Sequence, residues 1–323
     1  MLTDHKDISG GGLFVVLWLA AVVPLATGAA EAQEEPPPAG QASPDEPAPT
    51  TLELRYKPEP NGERLYSFSA TGPAAATFED GTTLASFEVQ LSADLMATVT
   101  QINEETFAIS VEVQEPKADI SGIELPMEQV GDARLTVELT RRGKIVSTDL
   151  GESLLQSLRI RGLDAALLPA LLSALELPEQ PVGVGGSWES EVRTGAEDAE
   201  LVARTKSTLT EAAAGRAKIT CDASIDLPAM ELTVMDFPLQ VQSGGVTLEK
   251  LVVDFDHQQG VPLGAEGLLH LSLRANFQDM PLEITADLKV KVAPPEPAPA
   301  QEHTEGQQQE AEGEPEAAPA PQE

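Results

Sequence analysis

Eleven residues near the end of the chain constrain its fold more than any others. From 282 to 292, Leu282, Ile284, Ala286, Leu288, Val290 and Val292 alternate with Glu283, Thr285, Asp287, Lys289 and Lys291. Successive side chains of a strand point to opposite faces, so a period of two describes a sheet with one buried face and one wet face. The same alternation runs through Leu269, Leu271, Leu273, Ala275 and Phe277, and through Phe107, Ile109, Val111 and Val113. Glu79-Asp80-Gly81, Arg141-Arg142-Gly143 and Ser243-Gly244-Gly245 read as turns between strands, which predicts antiparallel sheet and not βαβ units.

The strand-rich region repeats itself. Leu91, Thr98, Thr100, Ile109 and Ser110 align without a gap on Leu201, Thr208, Thr210, Ile219 and Thr220. Ile123-Glu124-Leu125-Pro126 follows as Ile225-Asp226-Leu227-Pro228, and Arg141-Arg142-Gly143 loosely as Gln258-Gln259-Gly260. Such self-similarity points to duplication, against the alternative that strands resemble one another by composition. Between the halves, 151–178 carries the helical signals. Leu154, Leu155 and Leu158 share a helix face, and 163–177 reads LDAALLPALLSALEL, with Asp164 as a cap or Pro169 as a first helical residue. A helix apolar nearly all round must be covered on several sides. Leu167, Leu168, Leu171 and Leu172 are therefore either core or the inner face of a lid over an apolar ligand. The expected fold is mostly β (α+β): a curved antiparallel sheet or half-barrel of two similar halves, 51–150 and 179–293, around this insert.

Outside 51–293 the chain changes character. Residues 13–27, LFVVLWLAAVVPLAT, precede Ala30-Glu31-Ala32 in the manner of a signal peptide over 1–32 cleaved before Gln33, although Asp4 and Asp7 accompany Lys6 where a basic n-region is expected. An uncleaved anchor is the rival, but a spanning helix needs about 20 apolar residues and Pro24 interrupts this shorter run. The reading is therefore an exported protein, periplasmic or extracellular. Residues 33–50 hold four acids, six prolines and no base, and 294–323 hold eight glutamates, seven prolines and no base, the composition of disordered linkers. The whole chain has a formal charge of −33, and 51–293 still carries 38 acids against 19 bases. That field lacks the basic footprint nucleic acid requires and excludes it as a partner. One cysteine, Cys221, cannot form an intramolecular disulfide, so an apolar core must stabilise the fold.

Leu177-Pro178-Glu179-Gln180-Pro181-Val182-Gly183-Val184-Gly185-Gly186-Ser187-Trp188 resembles the most recognisable stretch of a family of secreted bacterial proteins known only as a domain of unknown function. The similarity extends to Leu54-Arg55-Tyr56-Lys57, expected as an opening strand, to Gly62 and Tyr66, and to the strand containing Thr98 and Thr100. The family pattern carries an Asp where this chain has Gly186. The resemblance implies bacterial origin, an envelope location and a core position for Trp188, and it brings no catalytic residues with it.

No constellation carries chemistry strongly. Asp254 and Asp256 share one side of a strand with His257 beside them, which could hold a divalent cation but lacks a third ligand. Ser187 sits in GGSW, without the G-x-S-x-G spacing of a nucleophile elbow, and His257 and His270 are the imidazoles available as bases. His270 alternates with Ser272, Arg274 and Asn276 on a polar face. Cys221 aligns with Val111 and reads as a small core hydrophobe, so Cys221→Val is expected to be nearly neutral. No cofactor is implied. The reading is a non-catalytic binding or structural module whose partner is an apolar ligand or an envelope protein. A carrier of a lipid or lipidated peptide is the alternative, and a weak hydrolase stands third.

Overall fold

The computed structural model describes residues 51–125, 127, 134–150, 176–194, 201–234, 237–277 and 280–295. They form one open antiparallel sheet of thirteen strands. These are β1 (Glu63–Phe78), β2 (Thr83–Ile102), β3 (Thr106–Ile120), β4 (Ile123–Leu125), β5 (Arg134–Thr140), β6 (Ile145–Leu150), β7 (Ser187–Thr194), β8 (Leu201–Ala213), β9 (Arg216–Leu227), β10 (Met230–Val234), β11 (Phe237–Asp256), β12 (Val261–Phe277) and β13 (Met280–Ala293). Their spatial order is β6-β5-β3-β2-β1-β13-β12-β11-β9-β8-β7, with β4 beside β3 and β10 beside β11. The two halves meet where β1 pairs with β13, and among the described residues the sheet ends at β6 on one side and β7 on the other.

The alternation read from sequence is the alternation of burial. Leu282, Ala286, Leu288, Val290 and Val292 are buried along β13, with Ile284 half-buried, while Glu283, Asp287, Lys289 and Lys291 are exposed. Leu269, Leu271, Leu273 and Ala275 are buried on β12, and Phe107, Ile109, Val111 and Val113 on β3, all in a single apolar cluster. The side chain of Phe277 lies outside the described residues.

A sheet this wide must curl to bury its apolar face, and Tyr56 shows that it does. β3 and β11 are five strand steps apart, about 24 Å along a flat sheet at ~4.8 Å per strand. Yet the Tyr56 ring stands 6.1 Å from that of Phe107 on β3 and 5.7 Å from that of Phe255 on β11, edge-on to the latter. The segment before β1 therefore plugs one end of the curled sheet. Its backbone ties both halves: Tyr56 N–H donates to Arg141 O (2.9 Å) and Lys57 N–H to Gly260 O (3.1 Å). Leu54-Arg55-Tyr56-Lys57 is thus not the strand expected of it. Only Leu52 forms a bridge, to Val182, because the segment spans between turns and has no neighbouring strand to pair with.

The hairpins β2–β3 and β8–β9 share one register. Ala97 faces Val111 as Ser207 faces Cys221, Thr98 faces Ser110 as Thr208 faces Thr220, and Val99 faces Ile109 as Leu209 faces Ile219. Both then slip at the same place, to Gln101–Ala108 and Glu211–Lys218. At each slip a threonine hydroxyl donates across the hairpin, Thr100 to Ala108 O and Thr210 to Lys218 O. The turns before β1 and β7 also match: Gly62 N–H reaches Glu59 O and Gly186 N–H reaches Gly183 O, after left-handed Asn61 and Gly185. The blocks Ile123–Pro126 and Ile225–Pro228 do not correspond, since Ile123–Leu125 is the separate strand β4 and Ile225–Leu227 ends β9.

Two of the three expected turns occur, at Glu79-Asp80-Gly81 and Arg141-Arg142-Gly143. Ser243-Gly244-Gly245 instead lies inside β11. The register with β12 slips between Val241 and Ser243, and a Cβ on Gly244 would stand 2.6 Å from Leu273 Cδ2 and 2.8 Å from Ser272 O. These glycines serve a bulge and a close strand approach, which local sequence cannot tell from a turn. The insert expected over 151–178 lies outside the described residues as far as 175, so its helices are neither placed nor displaced.

Candidate functional site

Residues 176–182 return from that insert and pass over the end of the sheet between its free edges. Leu177 N–H donates to Arg142 O (2.7 Å), and the Arg142 guanidinium donates to Leu177 O (3.2 Å), Glu176 Oε1 (2.8 Å) and Glu179 Oε1 (2.7 Å). Arg55 reaches the same segment from the plug, with Nη1 to Pro178 O and Nη2 to Glu179 O. Trp188, the second residue of β7, donates its indole N–H to Glu176 O at 2.6 Å. Two planar guanidinium forks and an indole thus clasp four residues, with the Glu176 side chain only 12% exposed in its ion pair. Leu177 beneath them is fully buried.

Of the residues expected on an apolar-ligand or core face, Trp188 is half-buried and packs against the core. Leu167, Leu168, Leu171 and Leu172 lie outside the described residues. Gly186 stands in tight surroundings. A Cβ there would lie 2.4 Å from Val182 Cγ2 and 2.9 Å from Gly183 O, inside the turn that launches β7.

Inside the curl the two halves differ. In the first, Tyr66, Leu95 and Val113 form a row across β1, β2 and β3. In the second, the same register brings Ser190, Thr205, Ala223 and Leu248 into a row across β7, β8, β9 and β11. The adjoining row holds Trp188, Ser207, Cys221 and Leu251. Ser207 is 1% exposed and donates to Cys221 Sγ at 3.2 Å. Burial pushes the Cys221 thiol up to about 12, well clear of a reactive thiolate. Thr205 is 5% exposed, and no partner for its hydroxyl is found among the described residues.

The other candidates stay apart. Asp254 and Asp256 lie on the wet face of β11, and Asp256 Oδ1 accepts the N–H groups of Gln258 and Gln259, capping a turn. His257 uses its backbone N–H on Gly215 O. Among the described residues no three potential metal ligands converge. Ser187 shares a hydrogen bond with Thr208 Oγ1 (2.8 Å), and His270 Nδ1 lies 2.5 Å from Asp287 Oδ1 on the outer face. His270 and Ser187 stand on different strands, β12 and β7, separated in the sheet by β11, β9 and β8. A groove of about 700 Å³ crosses β7, β8, β9 and β11, its lining taking in Ser190, Thr205, Ala223 and Leu248 beside the charged Glu191, Arg204, Lys206, Asp222 and Glu249. A second, of about 550 Å³, runs beside Gly264 and Gly267 between Lys250, Lys289 and Lys291. Both face water and are charged.

No family model matches the chain. No curated protein matches it either. Among solved structures it is similar to lipovitellin, in a structure describing lipid–protein interactions, at 12% identity and a TM-score of 0.42. That alignment covers 75% of this chain and 26% of lipovitellin, so the chain spans about a quarter of that protein. It is also similar to DynF from the dynemicin biosynthesis pathway of Micromonospora chersina, at 9% identity and a TM-score of 0.24, covering 79% of this chain and 93% of DynF. Neither likeness is close enough to carry an argument about function.

Proposed function

We propose that this is an exported, non-catalytic module that holds an apolar ligand, such as a lipid or lipidated peptide, inside a half-barrel of two duplicated β halves. The observation that carries the reading is an apolar interior behind an unpaired seam. β6 and β7 each have a single partner strand among the described residues, and the apolar face that is buried along the strands between them is only half-buried at Ile145 on β6 and Trp188 on β7. A closed barrel cannot widen without breaking ladder hydrogen bonds, whereas an open sheet can part along its seam and re-cover its apolar face on a guest. Residues 151–175, outside the described residues, have a leucine-rich sequence that suits a helical cover. Export and the family resemblance remain part of this reading, through Ala30-Glu31-Ala32 and the Leu177–Trp188 run.

Titration of delipidated protein with an environment-sensitive apolar dye tests the proposal. Saturable binding at micromolar concentration, displaced by long-chain lipids, is expected. Absence of saturable binding would leave a structural module that takes no apolar guest.

A further inference from the structure

We propose that the inner wall of the second half contains a niche for the neutral carbonyl of an acyl ester, with the Thr205 hydroxyl donating to the carbonyl oxygen. This rests on the apolar-ligand reading above and names the ligand class.

The shared register makes the two halves a controlled comparison. Where the first half places Tyr66, Leu95 and Val113, the second places Ser190, Thr205 and Ala223. An aromatic ring and two branched aliphatic side chains give way to small side chains, two of them hydroxyls. Bulk removed from a packed wall leaves space that something else must fill. Ser190, Ala223 and Leu248 are each half-buried, so the row remains open to a guest.

Thr205 identifies the guest's chemistry. A hydroxyl in an apolar interior is normally hydrogen-bonded, and one without a partner calls for explanation. Its neighbour Ser207 already donates to Cys221 Sγ, so of the two buried hydroxyls on β8 Thr205 is the one with its proton to offer. Arg204 and Lys206 flank Thr205 but are exposed on the opposite face of the strand, as the alternation of β8 requires. Among the described residues, the inward side chains of β7, β8 and β9 include no Lys or Arg, so an ionised carboxylate on that face is disfavoured. A neutral acyl carbonyl accepts from the hydroxyl and carries an aliphatic chain suited to the rest of the wall. Trp188, fixed through its indole N–H on Glu176 O, borders the row as an apolar side.

The test is competition for a bound apolar dye by methyl decanoate, decane and decanoate at neutral pH, in the full-length wild type and in Thr205→Val and Thr205→Ser. The wild type is expected to prefer the ester over the alkane by about 10-fold or more. Thr205→Val should lose that preference with its alkane affinity unchanged, and Thr205→Ser should keep it. Thr205→Val should also melt no lower than the wild type without ligand, since it removes an unpartnered hydroxyl at similar volume. An ester preference that survives in Thr205→Val, or a wild-type preference for decanoate, overturns the niche and leaves the apolar-ligand reading standing. A wild type that binds neither ester nor alkane removes both.

Discussion

At Cys221 the core position was legible from the alignment with Val111, but the consequence of replacing it was not. Cys221→Val copies the first half's residue, yet it strips Ser207 of the sulfur its buried hydroxyl bonds. A loss of about 1–3 kcal/mol is expected, not near-neutrality. Ser207→Ala combined with Cys221→Val installs the Ala97–Val111 pair of the first hairpin and should recover most of it. Denaturant unfolding of the two single variants and the double variant measures the coupling. Alkali offers a second readout. The folded thiol keeps its proton up to about 12, whereas the unfolded thiol releases it near its ordinary 9.0. Across that window the native state binds more protons, so stability is complete below pH 9 and falls by up to ~1.4 kcal/mol per pH unit as pH rises. Burial likewise raises the Tyr66 phenol, which adds its own loss above its usual range. Cys221→Val should flatten the slope by one proton's share and leave the Tyr66 part.

At the scale of elements, the plug and the clasp hold the curled sheet together from one end. Gly260 makes the point most sharply. It is left-handed (φ 72°), and a Cβ would stand 2.6 Å from Arg55 O and Lys57 N, backbone atoms of the plug that cannot turn aside. Gly260→Ala should cost several kcal/mol and release residues 52–57 before the sheet melts, seen as early hydrogen exchange at Tyr56 and Lys57. Arg142→Ala removes donors to Leu177 O, Glu176 and Glu179 at once. It should speed exchange at Leu177 N–H more than at β13, with a smaller effect on global stability. Strand faces were legible because alternation is local: Leu282 to Val292 record their own burial. The plug was not, because nothing in Leu54-Arg55-Tyr56-Lys57 shows that its partners are turns some 85 and 200 residues away, at Arg141 and Gly260. Ser243-Gly244-Gly245 misled for a related reason, since a glycine needed for close approach to Leu273 looks the same as one needed for a turn. Thr205 lay in the ungapped alignment opposite Leu95 all along. Without the register, however, a threonine in a strand is unremarkable.

For the whole molecule, the matching registers of the β2–β3 and β8–β9 hairpins make the wide sheet a pair of similar halves. Two similar halves joined through β1 and β13 place the end of the first and the start of the second, β6 and β7, at opposite edges. The export reading expects the mature chain to begin at or near Gln33, which N-terminal sequencing of protein from its native envelope would check. An intact, membrane-bound Met1 or Leu2 terminus would favour an anchor. The central claim is that the interior carries an apolar guest. Native mass spectrometry of the protein released gently from its own envelope addresses it most directly. The account predicts a mass above that of the polypeptide, with the excess lost on solvent extraction and recovered as lipid or lipidated peptide. A bare polypeptide mass that does not change when acyl esters are added back would contradict it.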